Sequence, residues 1–269
     1  MSLRKIEQTI EAIETSDGEG VRIKRSLGTS QLKWHDPFLM LDEFYSEGAK
    51  SPGFPNHPHR GFSTLTYMLK GHMNHSDNQG NAGRVGAGGF QWMTAGRGII
   101  HSEVPEPDDD GMRGLQLWVN LPSKLKMRAP FYINGEEGDV PEVKFDGGKA
   151  RVLAGNFQEQ TGPIHDDVTD LIYIDVSLEA GKSLELEIPE THNTFFYVLE
   201  GRVADITESQ VAVLGEGSIA EFSAGREPPR FVLIARQPQK EPVARYGPFV
   251  MNTQDEIKKA IQDFNDGRF

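Results

Sequence analysis

Two pairs of similar segments recur at a nearly constant spacing along the chain. YMLKG ends at Gly71 and YVLEG ends at Gly201. GAGGFQWMTAG begins at Gly86 and GEGSIAEFSAG begins at Gly215, so that Gly88 aligns with Gly217. The interval between the two copies has the length of one small domain. The sequence therefore predicts two copies of the same structural unit in tandem.

The residues within each copy favour β-strands. Short runs of β-branched and aromatic residues are separated by glycine, proline and asparagine, and long helical patterns are missing. Examples of such runs are residues 64–69, 115–121, 170–178 and 230–235. This pattern is typical of barrels and sandwiches with many tight turns. We expect an all-β fold that consists of two tandem β-barrels.

The C-terminal residues predict one short α-helix. Thr253 is a suitable N-cap, Asp255 and Glu256 lie in the first turn, and an apolar stripe precedes Gly267. We expect this helix to pack against a barrel. The polar, glycine-rich residues 134–150 predict the join between the two barrels. The predicted boundaries are 1–135 for the first barrel, 136–252 for the second barrel and 253–269 for the helix.

Four potential metal ligands occur as two pairs with the spacing of a strand. One residue separates His57 from His59, and one residue separates His101 from Glu103. Side chains two residues apart in a strand point to the same face, so each pair can point into the first barrel. An isolated H-x-H pair is more often found at the surface or as a cap, but a second pair in the same β-rich unit favours a metal site. We predict that all four residues bind one metal ion.

The ligand types limit the identity of this metal. The chain contains no cysteine, so imidazole and carboxylate must hold the ion. Three neutral imidazoles and one carboxylate suit Fe(II), and also Mn, Ni, Cu or Zn as the one divalent transition metal. An octahedral ion would keep two positions open for a substrate and for dioxygen, which favours catalysis over a structural role. The remaining histidines lack a partner at strand spacing and are interpreted as structural or solvent-exposed: His35, His72, His75, His165 and His192.

The second copy of the repeat lacks this set of ligands. The two alignments place Glu187 and Pro189 opposite the first pair of predicted ligands, and Arg230 and Val232 opposite the second pair. We therefore expect the C-terminal barrel to bind no metal. Its expected role is to brace the first barrel or to cover the mouth of the pocket.

Charge and hydropathy narrow the classes of partner. A formal net charge of −12 without a long basic run argues against nucleic acid as a direct ligand. No segment approaches the run of roughly 18 apolar residues that spans a bilayer, and the N-terminal residues are too polar for a secretory signal. We expect a cytoplasmic protein without membrane contact. Because one chain supplies both barrels, we expect a monomer.

Three segments resemble the pirin family of bicupins, which are proteins with two cupin-type β-barrels. They are GFPNHPHRGFSTLTYMLKG, QWMTAGRGIIHSE and the terminal GPFVMNT, and the resemblance extends over nearly the whole chain. Gly53, the H-x-H pair and Gly71 are similar to the first cupin motif, and the segment GRGIIH that ends at His101 is similar to the second. The resemblance implies a fold of two tandem cupin-type barrels, with an iron ion held by the four residues named above.

The resemblance also implies a function. Bacterial members of the family have quercetin 2,3-dioxygenase activity, in which dioxygen opens the ring of a flavonol, a small aromatic substrate, with loss of carbon monoxide. Glu103 is then the nearest candidate for the base that accepts the proton of the 3-hydroxyl group. Eukaryotic members act as iron-dependent transcriptional cofactors, so a non-catalytic regulatory or redox-sensing protein that binds a partner protein is the alternative. The family usually has Glu where this chain has Ser63, which implies that one carboxylate near the site is absent.

Large apolar residues near the predicted ligands are candidates for the wall of a substrate pocket. Candidates that would contact a planar aromatic substrate are Phe54, Phe62, Trp92 and Met93. Arg60 or Arg97 is a candidate to meet a polar hydroxyl or carboxylate of the substrate. Packing in the core is the alternative for each apolar residue, since many large apolar residues in β units face a core. Anchoring of a loop is the alternative for the arginines.

Overall fold

Antiparallel strands form most of the protein, and this confirms the predicted all-β class. The structure is a computed structural model that describes residues 2–48, 51–165 and 170–269. The strands of the first half are β1 (Ile6–Glu11), β2 (Ile13–Asp17), β3 (Val21–Leu27), β4 (Phe38–Ser46), β5 (Phe54–His59), β6 (Phe62–Lys70), β7 (His72–Asp77), β8 (Ala82–Gly86), β9 (Phe90–Thr94), β10 (Ile99–Glu106), β11 (Met112–Asn120) and β12 (Phe131–Gly135). The later elements are β13 (Glu142–Phe145), β14 (Gly148–Ala154), β15 (Asn156–Phe157), β16 (Gln160–Thr161), β17 (Ile172–Leu178), β18 (Ser183–Glu187), β19 (Asn193–Glu200), β20 (Arg202–Val203), β21 (Ile206–Thr207), β22 (Gln210–Leu214), β23 (Ile219–Ser223), β24 (Arg230–Arg236), β25 (Ala244–Tyr246), β26 (Phe249–Met251) and the helix α1 (Gln254–Asn265). Two short 3-10 helices occupy Ser123–Leu125 and Glu137–Asp139.

These elements fall into two compact units that alternate along the chain. The N-unit comprises Glu14–Gly28, Phe38–Gly138 and Gln239–Phe269. The C-unit comprises Met1–Ile13, Thr29–Pro37 and Asp139–Pro238. Strand pairing explains why the first residues belong to the C-unit, because β1 pairs with β22 and completes a sheet there. The linear boundaries expected from the sequence remain a prediction. Within the described residues, no helix is long and apolar enough to cross a membrane.

Two larger antiparallel sheets and the hairpin of β25 and β26 make up the β-structure of the N-unit. The larger sheet has the strand order β12-β9-β6-β11-β4-β3-β2, and the smaller sheet has the order β5-β10-β7-β8. The central strand β6 is buried along most of its length, from Phe62 to Met68. Side chains of the two sheets meet in the interior, where Nε2 of Gln116 on β11 donates to the carboxylate of Glu103 on β10. Both strands that carry the predicted ligands, β5 and β10, lie next to each other in the smaller sheet.

The C-unit repeats the order of the larger sheet position for position. Its seven strands run β1-β22-β19-β24-β17-β14-β13. A separate pair, β18 and β23, corresponds to the pair β5 and β10. Gly71 follows β6 and Gly201 follows β19, and both have a φ of 70°, a left-handed conformation that glycine adopts without strain. The predicted correspondence of these two glycines therefore agrees with the structure.

The second predicted correspondence is wrong. Gly98 lies between β9 and β10 with a φ of 143°, and Gly217 lies between β22 and β23 with a φ of 147°. Gly98 is therefore the structural counterpart of Gly217, whereas the sequence alignment paired Gly217 with Gly88. The N-unit has the long hairpin of β7 and β8 before β9, but the C-unit has only the two-residue strands β20 and β21 before β22. The chain of the C-unit thus reaches the equivalent glycine sooner.

The corrected register places four apolar residues opposite the predicted ligands. Ala220 pairs with Leu186 in the way that His101 pairs with His57. The full set of apolar counterparts is Leu186, Ile188, Ala220 and Phe222. Three of these residues belong to the buried core of the C-unit and Leu186 packs against it. The counterparts expected from the sequence alignment are therefore wrong: Glu187, Pro189, Arg230 and Val232.

The predicted C-terminal helix is present as α1. Thr253 is its N-cap and forms a capping box with Glu256, in which each side chain bonds the backbone N–H of the other residue. Ile257 and Ala260 are buried against Phe249 of β26. The helix therefore packs on a hairpin of the N-unit.

A buried lysine links three segments of the N-unit. Lys126 is 1% exposed, and its Nζ donates to the main-chain oxygens of Gly61 and Val250 and to Oδ1 of Asn120 over 2.7–2.9 Å. Burial lowers the pKa of Lys126 to about 8. The lysine connects the start of β6 to β11 and to β26, so it stabilises the position of the segment that follows the H-x-H pair.

We expect Lys126→Met to lower the free energy of unfolding at pH 7 by about 1–3 kcal/mol, because three buried acceptors lose their donor. The difference in the free energy of unfolding between the original protein and the variant should grow between about pH 8 and pH 10.5. In that range the unfolded chain binds more protons than the folded chain at Lys126, so the stability of the original protein rises with pH. Urea unfolding at both ends of the range measures the effect. Lys124→Met, at an exposed position of the same turn, is the control, and equal midpoints for the two variants would contradict the prediction.

Candidate metal centre

Two neighbouring strands bring the three predicted histidine ligands together. His101 on β10 stands directly opposite His57 on β5, and His59 stands opposite Ile99. The ring centroids of His57 and His101 are 4.3 Å apart, and those of His57 and His59 are 4.7 Å apart. One ring nitrogen from each of the three histidines lies within 4.8 Å of the others. Among the described residues this is the group of side chains whose spacing suits a metal ion.

The hydrogen bonds of these rings leave nitrogen atoms available for a metal. Nδ1 of His57 lies 2.8 Å from the carbonyl oxygen of Pro55, a contact in which Nδ1–H donates and Nε2 keeps its lone pair. Nδ1 of His59 and both ring nitrogens of His101 are buried without a hydrogen-bond partner in the described chain. Buried polar atoms without a partner cost free energy, and a metal ion would give one nitrogen of each ring a partner. The three imidazoles therefore fit a divalent metal.

Electrostatics also favour neutral imidazoles, which are the form that binds metals. Burial is the main factor that lowers the pKa of His59 well below its usual range, and the neighbouring rings of His101 and His57 lower it further. Burial and the ring of His57 likewise lower the pKa of His101 well below its usual range. Three imidazolium charges at these distances would repel one another. The site is therefore ready to accept a cation at neutral pH without losing protons from these two rings.

Glu103 lies in the same pocket but outside the group of three histidines. Its Oε1 accepts a hydrogen bond from Thr66 over 3.4 Å, and both carboxylate oxygens accept from Gln116 over 3.2 and 3.3 Å. Burial raises the pKa of Glu103, while proximity to His57 and the hydrogen bonds act in the opposite direction. The side chain of Glu103 points to the same interior face of β10 as that of His101, because the irregularity in the pairing lies on β5 and the pairing of β10 with β7 is regular. The roles of Glu103 as fourth ligand and as base stay predictions.

A layer of polar side chains surrounds Glu103 in the interior of the N-unit. Gln116, Thr66 and Gln91 stand side by side on β11, β6 and β9. Gln91 contacts the ring of His75 over 2.7 Å, and His75 stands opposite Glu103 in the smaller sheet. Sequence reasoning missed these residues. Their signal is the presence of polar residues within otherwise apolar, buried strands, as in FSTLTYML and LQLWVNL.

A pocket of about 400 Å³ opens at the candidate metal centre. His57, His59 and Glu103 form part of its wall. Its other lining residues are Asp17, Gly18, Ile23, Arg25, Met40, Asp42, Phe44, Phe54, Pro55, Asn56, Gln116, Trp118, Arg245, Gly247 and Pro248. The pocket therefore combines apolar and aromatic surface with a few charged groups, as small-molecule sites usually do.

Only one of the four predicted aromatic and apolar wall residues lines this pocket, and it is Phe54. Phe62, Trp92 and Met93 are buried in the core, with at most 1% exposed. Phe62 still contributes indirectly, because its ring packs against Trp118 and His59. Phe62 and Met93 share the faces of β6 and β9 that carry Thr66 and Gln91, but neighbouring side chains cover them, whereas Trp92 points to the opposite face.

The two arginines predicted near the substrate have other roles. Arg60 forms a buried salt bridge with Asp263 of α1 over 2.8 Å, and its Nε donates to the carbonyl oxygen of Arg97. The side chain of Arg97 is exposed and does not line the pocket. Arg60 is adjacent to His59, and Arg97 precedes the strand of His101. Arg60 therefore joins α1 to both segments that carry histidines of the site.

Ser63 does not face the candidate metal centre. Its Oγ lies 2.9 Å from Oγ1 of Thr94, and it is 1% exposed. Thr66, which contacts Glu103, points to the opposite face of β6, because residues separated by an odd number alternate in direction. A carboxylate at position 63 would point away from Glu103. The expected loss of a carboxylate close to the site is therefore not supported by this geometry.

A small antiparallel barrel with an H-x-H pair and a third histidine on the neighbouring strand defines a protein of the cupin class, and the repeated sheet order gives a two-domain cupin. The chain belongs to the pirin family. Residues 20–119 match the profile of the pirin family, and residues 173–269 match the profile of the pirin C-terminal cupin domain. The family predicted from the sequence motifs is thereby confirmed.

Three relatives illustrate the extent of the similarity. A pirin-like protein of Caulobacter vibrioides is 45% identical over an alignment that covers all of both chains. A Pseudomonas aeruginosa protein named provisionally as a quercetin 2,3-dioxygenase is 43% identical, over 94% of this chain and 93% of its own length. The solved structure of quercetin 2,3-dioxygenase from Acinetobacter baumannii superimposes with a TM-score of 0.90 at 34% identity, over 100% of this chain and 99% of that chain. Each match extends over both cupin domains.

We expect Asp263→Asn to weaken metal binding by roughly 10- to 100-fold, because it leaves Arg60 without the carboxylate that fixes the segment next to His59. Arg60 and Arg268 lower the pKa of Asp263, so its contribution to stability is complete above the unfolded-state pKa of 3.8 and is lost as the pH falls further. The difference in melting temperature between the variant and the original protein should therefore shrink below pH 3.8. Metal titration by calorimetry and thermal unfolding measure the two effects.

Asp266→Asn is the matched control, because Asp266 is an exposed carboxylate of the same segment that contacts Arg268. We expect this change to leave metal affinity close to the original value. If both variants bind metal as tightly as the original protein, the link between α1 and the candidate metal centre is wrong.

Proposed function

We propose that this protein is a metal-dependent dioxygenase of the quercetin 2,3-dioxygenase type, which opens the ring of a flavonol with uptake of one O2 and release of one CO. The main support is the pocket, which places aromatic and apolar surface beside His57, His59 and Glu103. The relatives from Pseudomonas aeruginosa and Acinetobacter baumannii carry this activity in their names and cover both domains. Function depends on the site rather than the fold, so the argument rests on the pocket residues.

The proposed metal ligands are His57, His59 and His101, with Glu103 as the fourth. We propose Fe(II) as the metal, while Mn, Ni, Cu and Zn also suit these donors. When bound, the metal would act as a Lewis acid for the flavonol oxygen and as a template for dioxygen. A metal held by four protein ligands would need room beside it for a substrate and for dioxygen, and the pocket beside His57, His59 and Glu103 supports this requirement.

Glu103 is the proposed base for the 3-hydroxyl proton of the flavonol. Its burial raises its pKa, which makes the carboxylate a better proton acceptor near neutral pH than an exposed glutamate. Thr66 and Gln116 donate hydrogen bonds that orient the carboxylate. Phe54 and Trp118 present ring surfaces that would hold a planar substrate and exclude water. The larger sheet therefore orients the base, and the smaller sheet carries the imidazoles.

The alternative is a regulatory protein in which the metal changes a surface that a partner protein recognises. Such a protein needs a closed metal site beside an exposed patch, whereas a dioxygenase needs an accessible pocket with room for the substrate. The volume of about 400 Å³ beside His57 and Glu103 favours the dioxygenase. Large ligand pockets with a few polar groups are the usual form of an active site.

Replacement of a histidine tests the dependence of the activity on the metal. We expect iron-loaded protein to consume O2 and release CO with quercetin, and His101→Gln to lose bound metal and turnover together. His165→Gln, at an exposed position, is the matched control and should keep both. Metal analysis, an oxygen electrode and CO detection provide the measurements. Stoichiometric metal without O2 uptake in the original protein would exclude the proposed activity with quercetin.

Replacement of Glu103 tests the role of the base separately. We expect Glu103→Gln to lower kcat by about 10²–10⁴-fold, because the amide accepts no proton. Glu106→Gln on the same strand is the control, since Glu106 is exposed and bonds Arg84. Metal content must be measured for each variant. If Glu103→Gln keeps its metal and turns over at the original rate, Glu103 is not the base.

A further inference from the structure

One wall of the pocket carries a guanidinium group that forms no salt bridge within the described residues. Arg245 lies on β25 and lines the pocket. Its Nη1 and Nε make only long contacts, 3.4 Å to the carbonyl oxygen of Leu39 and 3.5 Å to that of Gly247. An arginine fork binds carboxylates with two parallel hydrogen bonds, so this group has unused capacity for an anion.

The other arginine that lines the pocket, Arg25, is neutralised by two carboxylates. Arg25 donates to both carboxylate oxygens of Asp42 over 2.8 and 2.7 Å, and to Asp17 over 3.1 Å. Asp42 is close enough to Arg245 to attract it, but Asp42 already accepts two bonds from Arg25. The carboxylates of this wall are therefore engaged by Arg25, and Arg245 remains available to a ligand.

The position of Arg245 relates it to the candidate metal centre. Its guanidinium carbon lies 4.9 Å from the ring centroid of Trp118, and that centroid lies 5.1 Å from the ring centroid of His59. The indole of Trp118 therefore contacts both the guanidinium and a predicted metal ligand. Nε1–H of Trp118 also lacks an acceptor in the described chain. An aromatic molecule that reaches from the histidines to Arg245 would thus lie along Trp118.

We propose that Arg245 binds a carboxylate of the substrate, so that the pocket selects aromatic molecules with an ionised acid at the end remote from the candidate metal centre. This inference rests on the proposed dioxygenase function and adds that the preferred substrate carries a carboxylate, a group that quercetin lacks. Trp118 lines the pocket between the two groups and would contact the aromatic body there. Arg245 then pairs with the single carboxylate of the substrate, and the positive charge of Arg25 is not needed for this interaction.

The test compares two ligands that differ in one charge. They are 3-hydroxyflavone with a 4′-carboxylate and 3-hydroxyflavone with a 4′-carboxamide. Binding is measured by calorimetry and by quenching of tryptophan fluorescence, for metal-free and iron-loaded full-length protein. The chain has three tryptophans, and Trp118 is the one that lines the pocket. These readouts do not depend on turnover.

We expect the carboxylate to bind at least tenfold more tightly than the carboxamide, and Arg245→Met to remove this preference. A tenfold change in Kd corresponds to about 1.4 kcal/mol. The carboxamide should bind Arg245→Met with nearly its original affinity. Arg245→Lys should keep part of the preference, because a lysine retains the charge but not the fork. The matched control is Arg22→Met, since Arg22 lies 4.6 Å over the ring of Tyr45 and does not line the pocket.

Two results would overturn the proposal. One is equal affinity of the original protein for both ligands, and the other is a carboxylate preference that survives in Arg245→Met. If neither flavone binds the original protein, flavonol binding and hence the proposed dioxygenase function fail. Benzoate and benzamide then test Arg245 alone. If benzoate binds and its binding depends on Arg245, the proposed anion site is supported. If benzoate does not bind in this way, the proposed anion site is wrong as well.

Discussion

The antiparallel register of β5 and β10 is the constraint on which the candidate metal centre depends. His101 stands opposite His57, so backbone hydrogen bonds of the smaller sheet hold two imidazoles at contact distance. A slip of one residue would turn the side chains of one strand to the other face. Glu103 follows two residues later on the same face of β10, where it meets Gln116 of the facing sheet. One strand therefore carries both an imidazole of the group and a carboxylate held by hydrogen bonds.

The two units use one sheet order for different interiors. In the C-unit, the apolar residues Ala220 and Phe222 stand where the N-unit has His101 and Glu103, and their burial stabilises the barrel. In the N-unit, the part of the interior around Glu103 and the histidines is polar, and such a region is stable only when its groups find partners. Glu103 finds them in the larger sheet, but the ring nitrogens of His101 do not find them in the described chain. The N-unit thus keeps a local cost that a ligand can remove, and binding to the folded form alone raises its stability.

The sequence was sufficient for the class of fold, the duplication, the helix and the group of histidines, because each has a local signal of period or spacing. It failed where the outcome depends on the length of intervening chain. The segments that begin at Gly86 and Gly215 are similar in sequence, yet Gly98 is the structural counterpart of Gly217. The partners of Glu103 were also missed, because Gln116 and Thr66 come from strands whose registers no local pattern determines. Phe62, Trp92 and Met93 were assigned to the pocket, although neighbouring side chains bury them in the core.

The histidines come from the most recognisable motifs, but the surroundings of the site come from a segment far away in sequence. Residues 239–269 belong to the N-unit, and they place Asp263 against Arg60 and Arg245 over Trp118. Motif residues determine whether a metal can bind, because they supply the donor atoms. The distant segment supplies the carboxylate that pairs with Arg60, next to His59, and a guanidinium in the wall of the pocket. We therefore expect proteins that share the H-x-H motif to differ in substrate through changes at positions such as Arg245, while the metal-binding strands remain the same.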